Sequence, residues 1–361
     1  MSKLAASLPY ALRSQASQCA RLGSVLYSGL LERAAAEIDG GMGGMCIQLL
    51  REFSMDPPES ALALRFLGAV NRLVLEGKAP DLAPCYSGDI LDIDETWSRF
   101  TQVLQANQRE LPALIRRPVQ TNEVARSAAL LPGFLQVSNQ TGLPLRLLEA
   151  GACAGLNLRW DRYFYVSPNQ AWGDPNSPVV LRGSYRLNHP SLSGTAVVIE
   201  RGGCDEKPLH AGSNEDRLTL LSFVWPDRPE RVQRMRAALD VAQRIPAAID
   251  AARAEEWIEK QLRRPANRCA TVVFHSIFMD YLSPQAKARF LFVMEEAGNR
   301  ATADAPLAWL RMEPGGVEAE VRLRIWPGGK DRLVALSGFH GQWVEAPDPE
   351  GGGRSTPVRL S

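Results

Sequence analysis

LEAGACAGLNLRW, residues 148–160, is the stretch that decides the fold of this chain. It passes from an apolar segment typical of a β-strand, through closely spaced small residues, into a segment with helical character. Small residues in succession indicate that the backbone approaches something closely, either a ligand or the next helix. The polar residues Glu149 and Asn157 stand on either side of this small-residue run.

The chain on the carboxyl side of residue 142 alternates short apolar runs with helical segments. This alternation predicts an α/β fold, a doubly wound, mainly parallel sheet that ends in an antiparallel hairpin. We predict strands at Leu145–Ala150, Ala196–Arg201, Ala270–His275, Leu307–Arg311, Val321–Trp326 and Leu333–Leu336. We predict helices from Asn157 onward and at Asn214–Val224, Pro229–Arg244, Ile249–Arg263 and Pro284–Ala297.

The first 142 residues have helical periodicity throughout and predict an all-helical domain or cap. Ser60–Leu75 is too apolar for a surface helix, so we expect it at the centre of this domain. The last helix of the domain is expected to begin near Thr121. Residues 143–350 form the predicted α/β domain, with an insertion at about 160–194, and residues 351–361 form a loose tail.

Composition excludes several classes of partner. The 41 Lys and Arg residues balance 40 Asp and Glu residues, and no basic run marks a nucleic-acid surface. No apolar run is long enough to cross a membrane. Six cysteines without C-x-x-C spacing predict a reducing, cytoplasmic compartment, and four scattered histidines predict no metal site. The expected partner is therefore a small molecule, and the pattern says nothing about oligomeric state.

Four residues at intervals of two mark the first strand–helix junction: Glu149, Gly151, Cys153 and Gly155. In doubly wound folds, ligands bind in the crevice at the carboxyl ends of the strands. The glycines would let the backbone approach a ligand there. The alternative is that they serve only the close packing of strand and helix.

The arrangement E-x-G-x-small-x-G resembles the first motif of class I S-adenosylmethionine-dependent methyltransferases, with Cys153 where glycine is usual. The resemblance implies a methyltransferase-like fold and S-adenosylmethionine as cofactor. It also implies an acidic residue after the second strand that holds the ribose. Glu200 and Asp205 are both candidates, and we prefer Asp205 because Gly203–Pro208 resembles a G-x-D-x-x-P run; either acid could instead cap a turn. The implied cofactor-binding residues are Glu149, Gly151, Cys153, Gly155, Asn157, Asp205 and Glu200.

Fifty residues separate Gly155 from Asp205, where about twenty are typical, so a segment is inserted between them. The insertion is rich in aromatic residues. Tyr163 is our candidate from this segment for a substrate contact, and a packed aromatic mini-core is the alternative.

Four further residues are candidates for chemistry. His275 ends a predicted strand and is a candidate general base, although it could equally cap a helix or lie in the core. Asn122 and Glu123 have hydrogen-bonding capacity suited to a small polar ligand, with Glu123 a candidate catalytic group. Arg126 could bind a carboxylate. The alternative for this segment is a helix N-cap followed by a solvated first turn.

Several motifs together resemble a bacterial family of uncharacterised proteins: RPVQTNEVAR (117–126), LEAGACAGLNL (148–158), DRY (161–163), RGGCD (201–205) and VWPD (224–227). We therefore expect a methyltransferase-like enzyme with an unknown small-molecule acceptor. A catalytically degenerate ligand sensor is the alternative, because of Cys153 and because no Asp/Asn-Pro-Pro-aromatic motif follows His275. A nicotinamide-dependent oxidoreductase fits worse, since G-x-x-x-G differs from the dinucleotide fingerprint.

Overall fold

A computed structural model describes residues 3–41, 43–57, 60–263 and 265–347. Its α-helices are, in chain order, α1 (Lys3–Arg21), α2 (Val25–Asp39), α3 (Met45–Leu50), α4 (Leu62–Leu75), α5 (Ala83–Ser87), α6 (Ile93–Ala106), α7 (Leu111–Ile115), α8 (Arg126–Thr141), α9 (Asn214–Ser222), α10 (Pro229–Arg244), α11 (Ala254–Gln261) and α12 (Pro284–Asn299). Its strands are β1 (Leu145–Ala150), β2 (Phe164–Val166), β3 (Ala171–Gly173), β4 (Val180–Arg182), β5 (Val198–Asp205), β6 (Ala248–Ala251), β7 (Ala270–Ser276), β8 (Leu307–Pro314), β9 (Ala319–Trp326), β10 (Arg332–Ser337) and β11 (Val344–Glu345). The predicted tail lies outside the described residues.

The chain divides into two compact units. The helical unit comprises Met1–Thr121 and His210–Arg236, and the sheet unit comprises Asn122–Leu209 and Ala237–Ser361. The division therefore falls before the boundary we predicted at residue 142. The reason is that α8 packs against strands of the sheet.

The helical unit has α4 at its centre, as predicted for Ser60–Leu75. Most of this helix is buried, including the polar residues Asn71 and Arg72. The Asn71 amide donates to the Ser222 and Val224 carbonyl oxygens, at 3.0 and 3.2 Å, just where α9 ends. The buried side chain thus satisfies carbonyls that have no partner within α9.

The VWPD motif serves the same unit. Trp225 packs on Tyr27, with ring centroids 6.3 Å apart. The Asp227 carboxylate accepts hydrogen bonds from the Ser24 hydroxyl (2.8 Å) and the Leu26 amide (3.1 Å), at the start of α2. These residues therefore cap and anchor α2.

The sheet unit is built on eight strands in the order β11-β10-β9-β8-β7-β1-β5-β6. The strands from β8 to β6 are parallel, whereas β9, β10 and β11 are antiparallel to their neighbours. A mainly parallel sheet that ends in antiparallel strands is therefore confirmed. After β1, the chain adds β5 and β6 on one side and then returns to add β7 and β8 on the other. The carboxyl ends of β1 and β7 consequently flank a topological switch point.

Most predicted strands are present, and three of the predicted elements need correction. β5 runs four residues beyond the predicted end and finishes at Asp205. The predicted helix Ile249–Arg263 is wrong at its start, because Ala248–Ala251 pairs with β5 as β6 and the helix begins only at Ala254. The predicted helix from Asn157 onward is a short 3-10 helix, Leu156–Arg162.

Aromatic and aliphatic side chains fill both faces of the sheet. On one face Phe134 of α8 stacks on Trp160 at 4.4 Å and meets Phe274 of β7 edge-on at 5.1 Å. On the other face α11 and α12 bury Trp257 and Phe290 against residues such as Leu148 and Val273. Residues 164–182 of the insertion form a separate three-stranded sheet in the order β3-β2-β4.

Candidate ligand site at the carboxyl ends of the parallel strands

The loop after β1 has a left-handed backbone at three alternate residues. Gly151, Cys153 and Gly155 have φ values of 68°, 52° and 66°. Glycine adopts this region at little cost, whereas a side chain makes it unfavourable. Cys153 therefore occupies a glycine-like conformation, and the loop is strained at the one position where the motif departs from glycine.

Asp205 lies at the end of the neighbouring strand and is bonded to this loop. Its Oδ2 accepts the backbone N–H of Cys153 at 3.0 Å, and its Oδ1 accepts that of Lys207 at 2.9 Å. Each carboxylate oxygen can accept a second hydrogen bond, and Asp205 is only half-buried. It can thus still receive donors from a ligand.

Glu200 does not reach this site. It lies five residues earlier on β5, about 16 Å away at the usual strand rise of ~3.3 Å per residue. Its carboxylate is exposed and pairs with Arg146 of β1 at 2.9 Å. Of the two acids, it is therefore Asp205 that lies at this loop.

Glu149 is a buried carboxyl group without a partner for Oε2. The residue is 2% exposed, and Oε2 makes no hydrogen bond within the described residues. Burial raises the pKa of this carboxyl group well above the ordinary value of 4.5. The nearby positive charge of Arg159 lowers the pKa, the negative charge of Asp205 raises it further, and the positive charge of Arg126 lowers it. Buried polar atoms without partners are rare in folded proteins and call for a specific explanation.

Residues 122–126 form hydrogen bonds with the segment that follows the glycine loop, at the carboxyl edge of the sheet. Asn122 Oδ1 accepts the Leu156 N–H at 2.9 Å, so Asn122 caps the 3-10 helix. The Asn157 amide donates to the Glu123 carbonyl oxygen at 3.4 Å, while its buried Oδ1 has no partner within the described residues. Glu123 Oε1 accepts the Ala125 N–H at 3.2 Å. The alternative of an N-cap followed by a solvated first turn is wrong, because residues 122–125 are buried and the N-cap of α8 is Ala125, without a side-chain cap.

Arg126 connects the same segment to the end of β7. Its Nη1 donates to the Ser276 carbonyl oxygen at 3.2 Å, and its Nε donates to the Phe339 carbonyl oxygen at 3.1 Å. The guanidinium is half-buried at the first turn of α8. It therefore supplies a positive charge at the carboxyl edge of the sheet.

His275 is fully buried and both ring nitrogens are engaged. Trp309 Nε1 donates to Nε2 at 3.0 Å, and because an indole nitrogen can only donate, Nε2 carries no proton. Nδ1 therefore carries the proton and donates to Glu313 Oε1 at 2.6 Å. In this arrangement the imidazole has no free lone pair with which to accept a proton. The ring lies on the α12 side of the sheet, 5.9 Å from Phe290, away from the Glu149 side.

Tyr163 is fully buried in the insertion. Its hydroxyl donates to the Leu156 carbonyl oxygen at 2.6 Å, and burial raises its pKa far above the ordinary range. The Tyr165 hydroxyl likewise donates to the Trp160 carbonyl oxygen, at 2.8 Å. Both side chains support the packed mini-core that was the alternative for this segment.

Sequence reasoning missed several residues that hold the site together. Arg159 is buried and donates to the Ala154 and Gly155 carbonyl oxygens of the loop, at 3.2 and 2.6 Å. Arg201 and Asp161 form a buried ion pair at 2.7 Å that ties the insertion to β5. The spacing of Arg201 along the chain could have indicated its position. Arg201, Gly203 and Asp205 are two residues apart along β5, so these positions lie on the same face of the sheet.

A turn after β7 was also missed. Ile277 has a φ of 51°, which is rare for a β-branched residue, and Phe278 follows it. The Glu313 carboxylate accepts the Phe278 N–H at 3.0 Å in addition to His275. Two strained residues, Cys153 and Ile277, thus lie at the ends of β1 and β7, on the two sides of the switch point.

The fold and site define a class: an α/β protein with a polar, partly unsatisfied cluster at the switch point of a mainly parallel sheet. The chain belongs to a family described as uncharacterized protein conserved in bacteria (DUF2332), whose model matches residues 10–346. The curated proteins contain no match to this chain, and neither do the solved structures.

The described ranges lack two further kinds of feature. No cluster of three or more His, Cys, Asp or Glu side chains there is arranged to hold a metal ion. Within the same ranges, no helix has the length and apolar character needed to cross a membrane.

Proposed function

We propose that this protein binds S-adenosylmethionine at the carboxyl ends of β1, β5 and β7 and transfers its methyl group to a small-molecule acceptor. One observation carries the proposal: Glu149, buried and without a partner for Oε2, lies at the switch point beside a left-handed small-residue loop. A desolvated carboxyl group in a strand-end crevice is a strong indication of a ligand site.

The residues present fit such a cofactor. Asp205 has acceptor capacity left for the two ribose hydroxyls, beyond the backbone N–H groups it already receives. The unpartnered Oε2 of Glu149 and Oδ1 of Asn157 can accept N–H donors from a ligand. Gly151 and Gly155 carry no side chains of their own, although the Phe278 ring packs against Gly151 and the Arg159 side chain against Gly155. When bound, the cofactor would supply an electrophilic methyl group on a sulfonium.

The chain's own residues would act mainly by alignment. Holding two reactants in the reacting geometry can supply a large part of a rate enhancement without a base. Arg126 offers a positive charge at the same edge for an anionic group of the acceptor. His275 takes no part as a base in this proposal, because both of its nitrogens are bonded within the protein.

A second candidate is a methyltransferase-fold ligand sensor without turnover. The observation in its favour is the same engagement of His275, whose two ring nitrogens are both bonded within the protein. Both candidates assume a methyltransferase-like fold, which the parallel strands, the switch point and the antiparallel end of the sheet support. A cytoplasmic location is supported by the six cysteines, all of which are free thiols.

Calorimetric titration tests the proposal. We expect S-adenosylmethionine and S-adenosylhomocysteine to bind the full chain with one site each, and NAD to give no heat. If folded protein binds neither sulfur nucleoside, the proposal is wrong. Incubation with methyl-labelled cofactor and pools of small metabolites then separates the candidates, since only the enzyme transfers label.

A further inference from the structure

The side of Gly151 that faces the switch point is filled by a side chain of the protein itself. A Cβ built on Gly151 would collide with Cδ2 of Phe278 and would lie 3.0 Å from its Cε2 and 3.2 Å from its Cγ. The ring therefore rests in the notch that the missing side chain leaves. Phe278 is only half-buried, so the ring separates the notch from solvent.

The backbone that carries this ring is strained. Ile277, immediately before it, has a φ of 51°. A β-branched residue is strained in this region and persists there only where other contacts enforce it. Strained residues cluster at ligand clamps and switch segments, so this turn is a candidate for a second conformation.

One carboxylate holds the strained turn in place. Glu313 accepts the Phe278 N–H at 3.0 Å, is 3.4 Å from the Met279 N–H, and also accepts His275 Nδ1–H at 2.6 Å. The Ile277 N–H donates to the Met312 carbonyl oxygen at 2.8 Å. These bonds anchor the turn to β8, while the ring itself is held by packing alone.

We propose that Phe278 is a gate that closes the notch at Gly151 and must swing out before a ligand reaches the glycine loop. The inference rests on the proposed function for the identity of the ligand. In the closed state the ring supplies the apolar cover that keeps the notch dry. In the open state the same notch admits the part of the ligand that approaches Gly151. Glu313 is a positioning residue for this gate, because it acts on the turn and not on the ligand.

The gate predicts tighter binding when the ring is removed. A site that is closed about nine-tenths of the time binds its ligand about tenfold more weakly than an open one. Phe278→Ala should therefore lower the Kd for S-adenosylhomocysteine about tenfold, and Phe278→Leu should lower it less. Phe292→Ala is the matched control, because Phe292 is an exposed phenylalanine of α12 that lies under Arg289. An unchanged or raised Kd in folded Phe278→Ala, or in Phe278→Leu if the alanine variant does not fold, would overturn the gate.

A fluorine label separates failure of the gate from failure of the proposed function. With 4-fluorophenylalanine at position 278 of the full chain, the fluorine NMR spectrum should contain two environments or one exchange-broadened line. S-adenosylhomocysteine should shift it to the solvent-exposed environment. A single narrow line that stays unchanged while calorimetry shows binding refutes the gate and leaves the proposed function intact. Two environments without any nucleoside binding support the movement of Phe278 and refute the proposed ligand.

Discussion

Glu149 offers the sharpest test of the unusual electrostatics at the switch point, through the substitution Glu149→Gln. Burial raises the pKa of this carboxyl group well above 4.5 in the folded protein, while the unfolded chain keeps the ordinary value. Between those two values the folded state holds a proton that the unfolded state has lost. The free energy of unfolding of the wild type therefore falls as pH rises, by about 1.4 kcal/mol for each pH unit in this window.

The Glu149→Gln substitution removes the titrating carboxyl group and keeps a side chain of nearly the same shape. Below pH ~4.5 the wild type has a neutral carboxyl group, and the variant should be equal or less stable because its amide adds a buried donor that costs about 1–3 kcal/mol if unpaired. Above that pH the difference should move in favour of the variant at about 1.4 kcal/mol per unit. Urea unfolding of both proteins from about pH 5 to about pH 8 measures this difference directly.

Glu200→Gln is the matched control on the next strand, since Glu200 is exposed and pairs with Arg146 at the surface. Its effect should stay below about 1 kcal/mol at every pH. If the unfolding free energies of Glu149→Gln and wild type run parallel across the whole range, Glu149 is not the desolvated group that we describe.

Two further predictions concern the loop and its support. Cys153→Gly should be at least as stable as Cys153→Ala, although glycine removes more of the side chain. The reason is that alanine retains a cost of about 1–2 kcal/mol for the left-handed backbone, which glycine avoids. Denaturant unfolding under reducing conditions measures both variants, and a clearly more stable Cys153→Ala would contradict backbone strain at this position. Arg201→Met should cost about 3–5 kcal/mol, because it removes the buried partner of the Asp161 carboxylate and leaves only Arg162, whose side chain is half exposed, beside it. Arg289→Met, which breaks the pair with Glu259 in which both side chains are largely exposed, should cost much less than Arg201→Met in the same assay. Equal losses in the two variants would contradict the larger contribution of the buried pair.

Local sequence pattern was sufficient for the parallel core of the fold. β1 has the predicted bounds because apolar residues run without interruption into small ones, and α10 has them because Pro229 starts a regular helical pattern. Pattern failed where glycines lie within a strand. The predicted strand ended at Arg201, before Gly202 and Gly203, yet β5 continues through them. Gly203 lies close to Ala152 and the Glu149 carbonyl oxygen, where a side chain would not fit.

β6 was missed for a related reason. Its four residues are mostly exposed and show no alternation, and they form a strand only because β5 extends far enough to pair with them. No local signal distinguished Ile249 from the start of a helix. The pairing partner alone decides the conformation.

The candidate site was predictable in its position but not in its contacts. The small-residue loop and Asp205 follow from the strand–helix junction, which is a local feature. The partners of His275 lie 34 and 38 residues away, on β8, and no spacing rule connects them. Phe278 likewise packs against Gly151, which lies in the loop after β1 and far from it in sequence.

The most direct test of the account is titration of S-adenosylhomocysteine into wild type and Asp205→Asn by calorimetry, with Glu206→Gln as the control at the neighbouring exposed acid. A hydrogen bond to a charged group contributes about 1.5–3 kcal/mol, so its loss should raise the Kd about 10- to 150-fold in Asp205→Asn. Glu206→Gln should bind as the wild type does. Wild-type protein that binds the nucleoside with the same Kd as Asp205→Asn would contradict a site at the carboxyl ends of β1, β5 and β7.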